Sequence, residues 1–151
     1  MIKYCKLLVI VFLVVSCNSN NKKNTHEDYS INKENTILNP QQKNSYERGK
    51  LVYNNLCITC HMGNGEGAPR VFPPLAQSDF LKNNQEISIK AIKKGMSGEI
   101  VVNGITYNSV MAPLGLSDKE VADVMNYINN SWGNSYGKFI TAEDVTKVIK
   151  N

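Results

Sequence analysis

Five consecutive residues, Cys57-Ile58-Thr59-Cys60-His61, constrain this chain more than anything else in its 151 residues. Two thiols three residues apart on one helical turn can each add across a vinyl group of haem, giving thioethers. The adjacent histidine then lies where its imidazole can bind the iron, so the motif reads as c-type haem attachment. Three other chemistries use the same residues. A structural zinc ion wants four ligands from two separated pairs, and the one other histidine, His26, lies in a polar stretch. A thioredoxin-like dithiol belongs at a helix start after a strand, whereas here a helical pattern precedes the motif and a Gly/Pro-rich loop follows. A plain disulfide beside a bystander histidine is the third. An export signal favours haem, because bacteria attach c-type haem outside the cytoplasm.

The N-terminus reads as such a signal. Lys3 and Lys6 precede an apolar run from Leu7 to Val15. That pattern is a secretory leader, and the run falls short of the ~20 apolar residues of a spanning helix. Val14-Val15-Ser16-Cys17 resembles a bacterial lipoprotein cleavage site. The expectation is a leader over 1–16 and a mature chain starting at an acylated Cys17, held to a membrane by its lipid chains. An ordinary leader with an incidental cysteine and a retained anchor helix are the alternatives. The expected location is the periplasmic side of a bacterial envelope, on the inner or outer membrane.

Residues 17–42 read as a flexible tether. The stretch after Cys17 holds seven asparagines and few large apolar side chains, too little to offset chain entropy. The stretch from Tyr29 to Leu38 carries a weak helical pattern. From residue 43 to 151 the pattern is that of one domain. That part carries 12 basic and 10 acidic residues, a balance that gives no basic stripe for nucleic acid. A helix is expected from Ser45 to Asn55 and another from Glu86 to Lys94, with Lys90, Lys93 and Lys94 facing outward. Ser78 should cap a short turn. Asn103-Gly104 should turn a small hairpin over 100–107. Ser117 with Glu120 forms a capping box for a helix to about Asn130, and Thr141 with Asp144 for a last short one.

The other axial position decides what such a haem does. Histidine with methionine makes an electron-transfer centre. Met62 is too close to His61 to reach the other haem face, and Met125 sits on a helix as a core residue. Met96 follows a helix-ending glycine. Met111, in Asn108-Ser109-Val110-Met111-Ala112-Pro113, occupies a proline-stiffened loop and is the expected ligand.

Residues 45–132 resemble a class I monohaem cytochrome c domain. Gly49 and Tyr53 with Val124 and Tyr127 look like that family's helix crossing, and Cys57, Cys60 and His61 match its haem motif. Pro73 and Leu75 match its Pro-x-Leu, in which the proline carbonyl accepts the proximal imidazole N–H. Tyr107-Asn108 resembles the segment that steadies the methionine loop. The resemblance implies an all-α fold of three to five helices around one covalent haem c, with a minor hairpin. Apolar candidates around it are Leu56, Val71, Phe72, Leu75, Phe80, Ile92 and Val110. It implies an electron carrier rather than an enzyme. The hairpin and Asn-Ser-Trp-Gly-Asn resemble cytochromes found beside copper nitrite reductases and quinoprotein dehydrogenases. Those two, or a terminal oxidase, are the implied redox partners. The extension after Gly133 should not touch the haem constellation. An open-site enzyme or gas sensor, and a module without haem, are the competing readings.

Overall fold

The computed structural model describes residues 39–151. The leader, Cys17, His26 and the tether up to residue 38 lie outside the described residues. The chain runs α1 (Pro40–Leu56), α2 (Ile58–His61), α3 (Asp79–Asn83), α4 (Gln85–Lys94), β1 (Ile100–Val102), β2 (Ile105–Tyr107), α5 (Asp118–Asn129) and α6 (Ala142–Lys150). This is the expected mostly helical architecture with one small hairpin. The described helical segments number six because α2 and α3 are single turns.

Helix α1 starts before the sequence pattern suggests. Asn39 closes a capping box with Gln42, and Pro40 stands at the first helical position, where its missing N–H costs nothing. The helix therefore begins inside the stretch read as tether. Its buried face is Ser45, Gly49 and Tyr53, four residues apart and so about one per turn, and it crosses α5. A Cβ on Gly49 would lie 1.9 Å from the Asp123 carbonyl oxygen and 2.8 Å from Tyr127 Cβ. Only glycine admits that approach. The crossing therefore rests on Asp123 and Tyr127, while Val124 is buried in the core beside them.

Polar and aromatic contacts fix the crossing. Asp123, 5% exposed, accepts bonds from Ser45 Oγ at 2.6 Å and from Arg48 Nε and Nη2 at 2.6 and 2.7 Å. A buried carboxylate is tolerable only when it is so satisfied. Tyr46, Tyr53, Tyr127 and Trp132 form a cluster with ring centroids 5.0–5.5 Å apart, in the range of favourable tilted pairs.

Helix α6 lies across α4 and α5. Asn126 brings it in: its side chain donates to the Ile140 carbonyl at 2.8 Å and accepts from the Ile140 N–H at 2.9 Å. Two of the lysines expected on an open face are used here. Lys93 Nζ donates to the Leu116 carbonyl and pairs with Asp118 at 2.8 Å, and Lys94 Nζ donates to the Ile149 carbonyl. Their carbonyl partners lie at the ends of loops and helices whose backbone would otherwise lack donors.

Candidate haem site

The Cys-x-x-Cys-His residues occupy one helical turn. Cys57 ends α1 in helical conformation and is also the residue before α2. Its carbonyl accepts from Cys60 N at 3.2 Å and His61 N at 2.9 Å. Side chains at i, i+3 and i+4 of such a turn share a face, so both thiols and the imidazole emerge together. Met62 then takes φ 63°, and the chain reverses. Tyr53 holds that reversal by donating its hydroxyl to the Met62 carbonyl at 2.7 Å.

The loop after the motif is built to present one carbonyl. His61 Nδ1 lies 3.0 Å from the Pro73 carbonyl oxygen. A carbonyl only accepts, so Nδ1 carries the proton and Nε2 keeps a lone pair for a metal. The double proline leaves no doubt of register: Pro73, not Pro74, is the acceptor. Burial lowers the His61 pKa, opposed in part by the Pro73 bond. Burial likewise pushes the Cys57 thiol up to about 11, with Cys60 adding to the shift. Gly67 makes the loop possible. Its N–H donates to the His61 carbonyl, and a Cβ there would lie 2.4 Å from the Phe72 oxygen and 2.7 Å from the Pro73 oxygen.

These groups open on an apolar cleft of about 90 Å³, and a second hollow of about 90 Å³ shares His61, Pro73, Met96, Ile100 and Met111 with it. Leu75, Phe80 and Ile92 line the first, Phe72 and Val110 the second, as expected. Leu56 and Val71 do not line either; they are 44% and 50% exposed. Sequence reasoning missed Leu81, Ile100, Val102 and Ile128, which carry no motif and are recognisable only once the helices are packed. Met125, read as core, is fully buried and also lines the cleft.

The cleft's polar atoms are spoken for. Ser78 Oγ caps α3 through Leu81 N, and Ser88 Oγ donates to the Asn84 carbonyl. Apart from His61, no titratable base or acid of the His, Asp, Glu, Lys or Arg type lines it. Two thiols and an imidazole at the edge of a dry apolar slot fit a covalently held haem. They do not fit zinc, since among the described residues no three His, Cys, Asp or Glu side chains group around a point. A thioredoxin-like site is disfavoured as well, because the sheet described here is a two-stranded hairpin with no strand before the motif. Cys57, buried, and Cys60, half-buried, are both free thiols.

The methionine loop is anchored by backbone. Met111 and Met96 exchange N–H to carbonyl bonds, both at 2.8 Å, and both side chains line the cleft. Gly95 allows this, because a Cβ at its φ of 80° would lie 2.6 Å from the Met111 oxygen. Ser109 Oγ donates to the Val71 carbonyl, tying this loop to the one that carries Pro73. Tyr107 is buried and lines the second hollow, while Asn108 is exposed. Asn103 and Asp79 exchange side-chain to backbone bonds at 3.0 and 2.7 Å, fastening the hairpin to α3.

The C-terminal extension adds no lining residue to the two hollows, yet it braces the cleft wall from outside. Asn134 donates to the Leu75 carbonyl and to the Ile128 carbonyl, both at 2.9 Å, and accepts from Gln77 N at 2.7 Å. It thereby pins the segment that follows the two prolines. The signal was present in the sequence as a buried-type polar residue among glycines, but nothing local to it names its partner, 59 residues away.

Comparison with known proteins agrees with this geometry. The family model for cytochrome c matches residues 46–132. Cytochrome c-552 of Thermus thermophilus is 39% identical over 101 residues, covering 61% of this chain and 77% of that protein. The cytochrome c subunit of the quinone alcohol dehydrogenase of Gluconobacter oxydans is 34% identical over 104 residues, 66% of this chain but 21% of the subunit. The cytochrome c subunit of gluconate 2-dehydrogenase from Pantoea cypripedii is 29% identical over 109 residues, 24% of its length.

Proposed function

The chain belongs to the cytochrome c family, and from that premise we propose a lipid-tethered carrier whose haem iron is held between His61 and Met111. Electron transfer through covalently bound haem c is the chemistry of this chain. The bound haem supplies a single electron step, its iron alternating between ferric and ferrous.

What supports the axial assignment is the His61–Pro73 bond at 3.0 Å, which leaves Nε2 as the free donor. The protein's own residues do the rest. Cys57 and Cys60 supply thiols for the thioethers. Pro73 fixes the imidazole's orientation and raises its donor strength. Met111 offers a neutral thioether, which raises the potential relative to a second histidine. Leu75, Phe80, Ile92 and Met125 keep water out. His61 and Met111 would fill both axial positions of a bound haem, and the lining carries no second acid or base of the His, Asp, Glu, Lys or Arg type, so we read the chain as a carrier rather than an enzyme.

The partner is a redox protein. The relatives that are dehydrogenase cytochrome subunits support a quinoprotein dehydrogenase as donor, ahead of a copper nitrite reductase or a terminal oxidase. The chain's place is the periplasmic side of the envelope, reached by the leader over 1–16 and kept by acyl chains on Cys17, with the domain beginning at the Asn39 cap of α1.

The test is a visible spectrum of the exported protein before and after acid–acetone extraction. Haem that stays with the chain, sharp ferrous bands and a far-red ferric sulfur-to-iron band are expected. A high-spin ferric spectrum would remove Met111 from the iron. Labelled fatty acid should enter the full chain and fail to enter Cys17→Ala; equal labelling would remove the anchor.

A further inference from the structure

We propose that Met96 is a second thioether donor to the haem iron, taking the axial position whenever Met111 leaves it. The inference rests on the reading of Met111 as resident ligand and extends it. Met96 and Met111 face one another as an antiparallel pair that exchanges both backbone hydrogen bonds at 2.8 Å. Directly opposed residues in such a pair send their side chains to the same side, Cβ atoms about 4.5–5.5 Å apart. Here that side is the cleft, since both methionines line both of its hollows together with His61. The two sulfurs therefore start from neighbouring points on one short backbone bridge.

The surroundings let Met96 move where other donors cannot. It stands just beyond the end of α4, between Gly95 at φ 80° and the Ser97-Gly98 turn with Gly98 at φ 97°. An unbranched thioether with three rotatable bonds can sweep into a vacated neighbouring space. Met125 also lines the cleft, but it is rooted in the middle of α5 and wholly buried. Lys93 and Lys94, the amines nearest in sequence, are tied to Leu116, Asp118 and Ile149. The exchange is one dative bond for another: a sulfur lone pair of Met96 replaces that of Met111, with no proton or electron moved.

The experiment uses the exported, haem-loaded full chain in four forms: unaltered, Met111→Ala, Met96→Leu and the double variant. Each methionine is also replaced by the other of the two residues, with haem content and circular dichroism recorded, so that a folded version of every form is read. The readouts are the far-red sulfur-to-iron band and carbon monoxide binding to the reduced protein. Met111→Ala should keep a far-red band that the double variant lacks. It should also bind carbon monoxide about tenfold more weakly than the double variant, as an internal ligand seated about nine-tenths of the time requires. Met96→Leu alone should leave the band unchanged. If Met111→Ala loses the band and binds carbon monoxide as readily as the double variant, the proposal fails while the Met111 assignment stands. If Met96→Leu alone loses the band and Met111→Ala keeps it unaltered, Met96 is the resident ligand and both readings fall. If the double variant keeps the band, neither methionine is a ligand.

Discussion

Replacing Gly49 by alanine tests the helix crossing that carries Cys57 to the cleft. In an isolated helix this change is favourable by about 1 kcal/mol. In the fold the new Cβ would lie 1.9 Å from the Asp123 carbonyl oxygen and 2.5 Å from its carbon. Both are backbone atoms of α5, so neither can rotate away. Ordinary contact at 3.4 Å requires the helices to separate by about 1.5 Å. Overpacking alone costs about 1–3 kcal/mol. Separation also strains the Ser45 and Arg48 bonds to Asp123, at 2.6 Å, and the Tyr46–Tyr127 and Tyr53–Tyr127 pairs. A charged hydrogen bond contributes about 1.5–3 kcal/mol and an aromatic pair about 0.5–1.5, of which a shift this size forfeits part. Net of the helix gain, the expected loss is about 3 kcal/mol. Urea unfolding of the haem-loaded protein should show it as a midpoint lowered by roughly 1.5 M, for a slope of about 2 kcal/mol/M. Gly63→Ala is the control, because a Cβ there meets nothing within 4 Å; it should shift the midpoint by less than a third as much. An unchanged or raised midpoint for Gly49→Ala would refute the crossing as a sterically fixed contact.

Three further outcomes follow from the same contacts. Gly67→Ala should move the Pro73 carbonyl off His61, given Cβ distances of 2.4 and 2.7 Å at φ 63°; the imidazole becomes a weaker donor, and redox titration should show the potential rise. Asn134→Ala orphans the Leu75 carbonyl and Gln77 N–H at about 1–3 kcal/mol for each that stays dry; thermal unfolding should fall and the visible spectrum shift, and a spectrum unmoved would separate Asn134 from the cleft wall. The Lys93 hydrogen bond, then the Thr146 bond, hold the Asp118 carboxyl below its ordinary value of 3.8. A depressed acid stabilises the fold above its unfolded pKa, and that contribution disappears as pH falls through the lower folded value. Acid below about pH 4 should therefore loosen α6, seen as faster amide exchange over 142–150, and Asp118→Asn should flatten that pH dependence.

The parts of the site legible in the sequence are those set by local rules. Ser117 and Glu120, Thr141 and Asp144, and Ser78 cap their helices as their spacing dictates, because a cap spans four consecutive residues and needs no fold. Asn103-Gly104 turns the hairpin with both residues at positive φ, again a local matter. Cys57, Cys60 and His61 are local too, and one turn of helix suffices to align them. The misplacements have the opposite character. Lys93 reads as a surface charge, and its fate depends on where Leu116 and Asp118 arrive, whereas Lys94 stays exposed as expected. Leu56 and Val71 are apolar and close to the motif in sequence, yet point away from the cleft, while Leu81, Val102 and Ile128 come to it from distant elements.

The two sides of the cleft are held by different means, and this bears on what the carrier can do. On the histidine side, the ring is fixed by a side-chain bond to Pro73, whose loop is braced at Gly65 by Leu75 N and Ala76 N, at Gly67 by His61, and at Leu75 by Asn134. Few rotations are left there. On the methionine side the backbone is fixed by the Met96 bridge and by Ser109 to Val71, but each thioether keeps its own rotations. An electron carrier gains from small rearrangement between oxidation states, which the braced histidine side favours. On the proposed ligation, variation in axial bonding comes from the methionine side, where the side chains keep their rotations. That is also where Val110, 74% exposed, brings the loop to the surface.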